Sequence, residues 1–171
     1  MFKKIILLIM LLAVAAFVSG CIDDKTGNNT VNKTDTIKYE QIPTVNLPAG
    51  ITFIDVTETY VEIGNSPRKA IEGIYKTDTD DVDLNIDVFN TETPQVLIDE
   101  YKSQYKDANY NPFTEISING HKATQVIRYK TKNGTQIPIY SVIWTTKDSM
   151  IKVGPSTDAQ KVINLATATN S

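Results

Sequence analysis

Val82-Asp83-Leu84-Asn85-Ile86-Asp87-Val88 alternates apolar and polar side chains without a break. Successive side chains of a strand point to opposite faces, so this stretch predicts one face on a core and the other in water. That division marks an antiparallel sheet with a solvated side, because strands of parallel sheets are apolar on both faces. Upstream, residues 51–56 and 59–63 are rich in Ile, Val, Phe, Tyr and Thr and read as two strands. Gly64-Asn65-Ser66-Pro67 reads as the turn after them, and residues 70–76 as a third strand.

Downstream the period changes. Thr93 is a good N-cap residue, Pro94 suits the first helical position, and Leu97, Ile98, Tyr101 and Tyr105 share one face at helical spacing. Asn111-Pro112 ends this helix. Four more strands are expected over residues 113–118, 123–131, 136–146 and 150–153. Asn119-Gly120 and Asn133-Gly134 separate the first three, and Asn-Gly is a strong hairpin signal. Lys147-Asp148-Ser149 makes the last tight turn. From Thr157 a terminal helix is expected, with Asp158 in its first turn and Ala159, Val162, Ile163 and Ala166 on one stripe. The fold class is therefore α+β: an antiparallel β-sheet of about six to eight strands with two helices packed on it.

The order of these elements, the stretch Leu47-Pro48-Ala49-Gly50-Ile51-Thr52-Phe53, the hairpin around Asn119-Gly120-His121 and the hairpin from Trp144 to Val153 resemble the PsbP-like α/β/α sandwich domains. These occur in small prokaryotic lipoproteins and in an accessory subunit on the lumenal side of photosystem II. The resemblance spans residues 47–169 and rests on element order, so it implies a fold and carries no functional residue with it.

The start of the chain supplies an address. Lys3 and Lys4 precede a 14-residue apolar run from Ile5 to Val18, and Val18-Ser19-Gly20-Cys21 follows, holding the only cysteine. The run is short for a bilayer span of roughly 20 residues and fits the apolar region of a signal peptide. The stretch resembles the lipobox of prokaryotic lipoproteins, which implies cleavage before Cys21 and attachment of lipid to it. A plain membrane anchor with a free thiol, or secretion without lipid, are the alternatives. The expected organisation is residues 1–20 as signal peptide, 21–46 as a polar, flexible, lipid-anchored stalk, and 47–171 as one domain.

Composition narrows the partners. Lys3 and Lys4 are two of 17 Lys and Arg, so 15 remain after residue 20 against 20 acids, a net of about −5. Nucleic acid and anionic lipid both reward a basic protein, and this balance argues against each as an electrostatic partner. The expected partners are the membrane, through lipid on Cys21, and an envelope protein or glycan. With its one cysteine in the anchor the domain has no internal disulfide and depends on an apolar core.

Chemistry is sparse. One histidine, His121, sits beside a turn, and no nucleophile elbow, phosphate loop or zinc-spaced cluster occurs, so no catalytic residue and no cofactor are predicted. Asp78, Asp80 and Asp81 are the candidates for a calcium site, with a solvated acidic turn as the default. Asp81, Asp83, Asn85 and Glu92 echo an EF-hand loop, but Ile86 stands where that loop needs glycine. Asn28, Asn32 and Asn133 head N-x-S/T sequons and are candidate glycan sites. Tyr101, Tyr105 and Tyr110, or Tyr129, Tyr140 and Trp144, either line a binding groove or pack the core, and packing is the simpler account. A non-catalytic, lipid-anchored binding or accessory module of the cell envelope is the expected function. A small hydrolase with paired carboxylates and a purely structural surface protein are the alternatives.

Overall fold

The computed structural model describes residues 39–78 and 83–169. The predicted signal peptide, most of the stalk, Cys21, Asn28, Asn32, Asp80, Asp81 and Val82 lie outside the described residues. The described chain forms one antiparallel sheet of seven strands and two α-helices, the α+β architecture expected.

The strands are β1 (Ile51–Ile63), β2 (Ser66–Thr77), β3 (Leu84–Asn90), β4 (Phe113–Ile118), β5 (His121–Lys132), β6 (Thr135–Thr145) and β7 (Ser149–Ser156). Helix α1 (Pro94–Ser103) lies between β3 and β4, and α2 (Ala159–Ala168) closes the chain. The spatial order β1-β2-β3-β7-β6-β5-β4 makes two meanders, β1–β3 and β4–β7, joined edge to edge by β3 and β7. Helix α1 is the crossover that carries the chain to the far edge, so the two meanders meet only after the last strand has formed.

The two segments 51–56 and 59–63 are one strand, not two. A register shift between Phe53 and Asp55 moves the alternation by one residue, so Phe53 and Val56 both pack on one side while Val61 and Ile63 pack on the other. Thr57 and Glu58, expected to separate two strands, pair continuously with Glu72 and Ile71 of β2. Pro67 lies inside β2, and the turn is confined to Gly64-Asn65. Helix α1 ends at Ser103, well before Asn111-Pro112, and Thr93 makes no side-chain cap. At α2, Asp158, expected in the first turn, is instead the N-cap: its carboxylate accepts from the Gln160 and Lys161 amides at 2.9 and 3.2 Å.

Both sheet faces are covered, which departs from the single buried face expected of β3. Ile86, Val88, Val142, Trp144, Ile151 and Val153 form one core with Val162, Leu165 and Ala166 of α2. Their immediate neighbours Phe89, Ile143 and Met150 form a second core with Leu97, Ile98 and Tyr101 of α1. Neighbours along a strand point to opposite faces, so α1 and α2 sit on opposite sides of the sheet. Asp87, read as solvent-facing, is 1 % exposed, because it sits on the α1 side of a central strand between covered neighbours.

The folded domain also begins earlier than Leu47. Ile42 is buried against the α2-side core, and the Tyr75 hydroxyl donates to the Pro43 carbonyl at 2.9 Å. Residues 39–46, assigned by composition to the stalk, thus belong to the domain. Gly73 makes room for them: a Cβ there would stand 2.6 Å from Cγ2 of Ile42 and 3.2 Å from the Tyr75 ring. Gly73→Ala is therefore expected to lower stability by about 1–3 kcal/mol through overpacking, read as a lower urea midpoint. A neutral result would show that residues 39–46 do not hold this seat.

Candidate functional site

Register builds a polar row across the middle of the sheet. Glu72 of β2 lies opposite Asp87 of β3, and Asp87 lies opposite Lys152 of β7. Ile71, Ile86, Val88, Ile151 and Val153, which flank these three, are committed to the α2-side core, so strand alternation drives the charged residues onto the α1 side. Asn85, two residues before Asp87, faces the same way.

The row is linked by side-chain contacts. Lys152 Nζ donates to Asp87 Oδ2, with the two side chains 15 % and 2 % exposed. Asn85 Nδ2 donates to Glu72 Oε1 at 2.8 Å. Oδ1 of Asn85 and Oδ1 of Asp87 are buried without a hydrogen-bond partner among the described residues. Burial pushes the Glu72 carboxyl above its ordinary value, and the negative charge of Asp87 adds to this, while Lys152 and the Asn85 amide pull it back. Beside this row, Tyr101 on α1 is held strongly protonated by its burial, and its hydroxyl lies 3.2 Å from that of Tyr105.

Two neighbouring carboxylates with different surroundings are what acid–base chemistry requires. Glu72 is half-buried with its carboxyl pushed up by that burial, and Asp87 is paired with a cation. Access is the missing half, since a substrate cannot touch a carboxylate whose side chain is 2 % exposed beneath Lys152. The arrangement holds charge in place and presents Glu72 and the edge of Lys152 as its accessible polar groups.

The predicted site residues do not gather here. Asp78, at the end of β2, pairs with Lys161 of α2, and that contact holds its carboxyl below the usual range. It thereby ties the sheet to α2. Among the described residues no group of three or more His, Cys, Asp or Glu is placed to hold a metal. Residues 84–90, part of the EF-hand echo, form β3 with Ile86 in the core. Asn133 is exposed at the β5–β6 turn with φ 51°, adjoining Gly134 at 77°. His121 is the exposed first residue of β5.

The aromatic candidates divide. Trp144 is core, and Tyr101 and Tyr105 pack α1 to the sheet, with Tyr105 edge-on to Phe113 at 5.4 Å. Tyr110 stacks edge-on against Tyr129 at 5.1 Å, and Tyr129 remains 47 % exposed. A shallow depression of about 460 Å³ lies between the β1–β2 turn and the end of α1, lined by Ile63, Ser66, Glu100 and Ser103 among others. Its one acid, Glu100, is paired with Arg68 at 2.8 Å.

Sequence reasoning missed the Glu72–Asp87–Lys152 row. A signal existed in Met150-Ile151-Lys152-Val153, where a lysine interrupts an otherwise apolar strand and so requires a partner. No protein-family model, no curated protein and no solved structure matches the chain.

Asp87→Ala strands the Lys152 ammonium in a nearly closed site and should cost about 3–5 kcal/mol in urea unfolding. Lys152→Met strands Asp87 and should cost a similar amount. The double variant should cost less than the sum by about 0.5–3 kcal/mol; additive losses would mean the two residues act independently.

Glu72 binds its proton more tightly in the fold than in the unfolded chain. Its favourable contribution is complete below the ordinary value near 4.5 and is lost as pH rises through the higher folded value. Glu72→Gln keeps an acceptor for Asn85 and removes the charge. Thermal unfolding should show the variant above the wild type at pH 7, with the gap closing toward pH 4. A gap independent of pH would contradict the assigned cause.

Proposed function

We propose that the chain is a lipid-anchored, extracytoplasmic binding module of the cell envelope, non-catalytic, with its α+β domain held near the membrane by lipid on Cys21. The observation that carries this reading is Lys3-Lys4, the 14-residue apolar run and Val18-Ser19-Gly20-Cys21 in succession. Among the described residues no helix is long and apolar enough to cross a membrane. A short h-region followed by a lipid acceptor supplies attachment by another route, since two or more acyl chains anchor stably where one does not.

The placement of the two helices on opposite sheet faces supports the resemblance to PsbP-like α/β/α domains. The polar row supports binding over turnover, because the carboxylate best fixed for chemistry is the one a substrate cannot reach. The hydrolase alternative retains one favourable observation, the adjacency of Glu72 and Asp87 with the Glu72 carboxyl pushed up by burial. It requires the α1 side to open over Asp87. A partner in this reading is an envelope protein or glycan.

Intact mass spectrometry of protein extracted from native membranes tests the anchor. The expected species begins at Cys21 and is heavier by covalent lipid, and Cys21→Ala should lose that mass and its detergent requirement. A wild-type species that retains residues 1–20, or one cleaved with an unmodified thiol, would overturn the proposal.

A further inference from the structure

The β5–β6 hairpin outruns its neighbours. The pairing of β4 with β5 stops at Val126, and that of β7 with β6 stops at Tyr140. Ile127 gives its amide to the Pro112 carbonyl at 2.9 Å, and from Arg128 to Ile139 the two strands pair only with each other. Five residues a side at strand rise carry this ribbon roughly 15 Å past the body of the sheet. The Asn133-Gly134 turn, with positive φ at both residues, closes its tip.

The charge on the ribbon opposes that of the chain. Residues 127–139 hold Arg128, Lys130 and Lys132 and no acid, in a protein of net charge −3. The three cations recur every second residue, so they share one face, and the register places the buried Ile139, the part-exposed Ile137 and Thr135 beside them on that face. All three cations are exposed, and none forms an ion pair among the described residues. Tyr129, on the other face, is 47 % exposed and braced by Tyr110.

We infer that this ribbon docks on the anionic headgroup layer of a membrane, with Arg128, Lys130 and Lys132 meeting phosphates. The inference rests on the proposed anchor, which would bring the domain to that surface. The segment between Cys21 and Tyr39 spans at most about 60 Å when extended. A domain of about 130 residues has a radius of gyration of about 14 Å, so the tether permits any face to approach. Orientation is then selected by the surface with favourable charge. Each basic residue near an anionic membrane strengthens association roughly fivefold, and three together roughly 100-fold. For an already tethered domain that gain is sufficient, because docking is intramolecular. With Ile137 part-exposed beside Lys130, the basic face fits a headgroup layer better than a soluble polyanion, which offers charge without an apolar boundary.

The test uses the full lipidated chain with vesicles of phosphatidylcholine alone and vesicles containing 30 % phosphatidylglycerol, read by flotation and by amide hydrogen exchange over residues 127–139. The expected result is flotation with both and at least fivefold slower ribbon exchange on anionic vesicles, abolished by about 0.5 M NaCl. Lys130→Glu/Lys132→Glu should remove the difference while exchange in β3 and β7 stays native, and Lys130→Arg/Lys132→Arg should preserve it. Flotation with both vesicles but identical ribbon exchange overturns docking and leaves the anchor standing. Flotation with anionic vesicles alone overturns the anchor and supports docking, and flotation with neither overturns both. Protection by a soluble anionic polysaccharide without protection by vesicles would also overturn the lipid assignment.

Discussion

Everything in this fold hangs on the pairing of β3 with β7. Each meander is a local structure whose strands meet through short turns, but β3 and β7 are joined across the whole of α1, β4, β5 and β6. Loop closure of that length must be offset by what the pairing buries. Ile86, Val88, Ile151 and Val153 provide one side of that burial and Phe89 and Met150 the other, all of them nearly sealed from solvent. The Asp87–Lys152 contact adds specificity. A slip of one residue would turn Asp87 into the α2-side core and leave Lys152 without its partner, so the ion pair penalises every wrong register.

The same constraint explains why the polar row exists where it does. Helix α1 has ten residues and buries Leu97, Ile98 and Tyr101 over Phe89 and Met150. At 1.5 Å per residue it is about 15 Å long, too short to cover a face of seven strands about 4.8 Å apart. Beside Tyr101 the sheet carries the partly enclosed polar groups Glu72, Asn85, Asp87 and Lys152, and Oδ1 of Asn85 and of Asp87 stay without a hydrogen-bond partner among the described residues. Glu72 carries the electrostatic strain of this solution, a second carboxylate beside Asp87 whose one nearby lysine, Lys152, is paired with Asp87.

The fold was legible wherever local periodicity and turn chemistry acted alone. The hairpins at Asn119-Gly120 and Asn133-Gly134 and the helix opened by Asp158 follow from side chains acting within a few residues. Less was legible where a distant partner decides the outcome. The sequence of β1 cannot announce that Phe53 and Val56 share a face, since the bulge is defined by what β2 places opposite. Ile42 sits among polar residues, and only Gly73 and Tyr75, some thirty positions away, turn it into core. Leu165 is fully buried on α2, whereas Ile163, expected on the apolar stripe, is only partly covered. Asp87 illustrates the general difficulty, for an acid in an alternating strand reads as solvent-facing until the covering helix and the opposing lysine are known.

Net charge was misleading for a related reason. A balance of −3 over the whole chain describes the field far from the protein, whereas a surface is met at close range. At physiological ionic strength the Debye length is about 8 Å, and the ribbon extends roughly twice that beyond the neighbouring strands. The acids of the sheet body are therefore largely screened from whatever the tip of the ribbon touches. Arg128, Lys130 and Lys132 set the local potential there, and the acidic remainder acts in the opposite sense, disfavouring approach of any other face to an anionic layer. A domain that is acidic overall and basic at one projecting ribbon is thus more strongly oriented than one that is basic throughout, because both signs of charge push it toward the same pose.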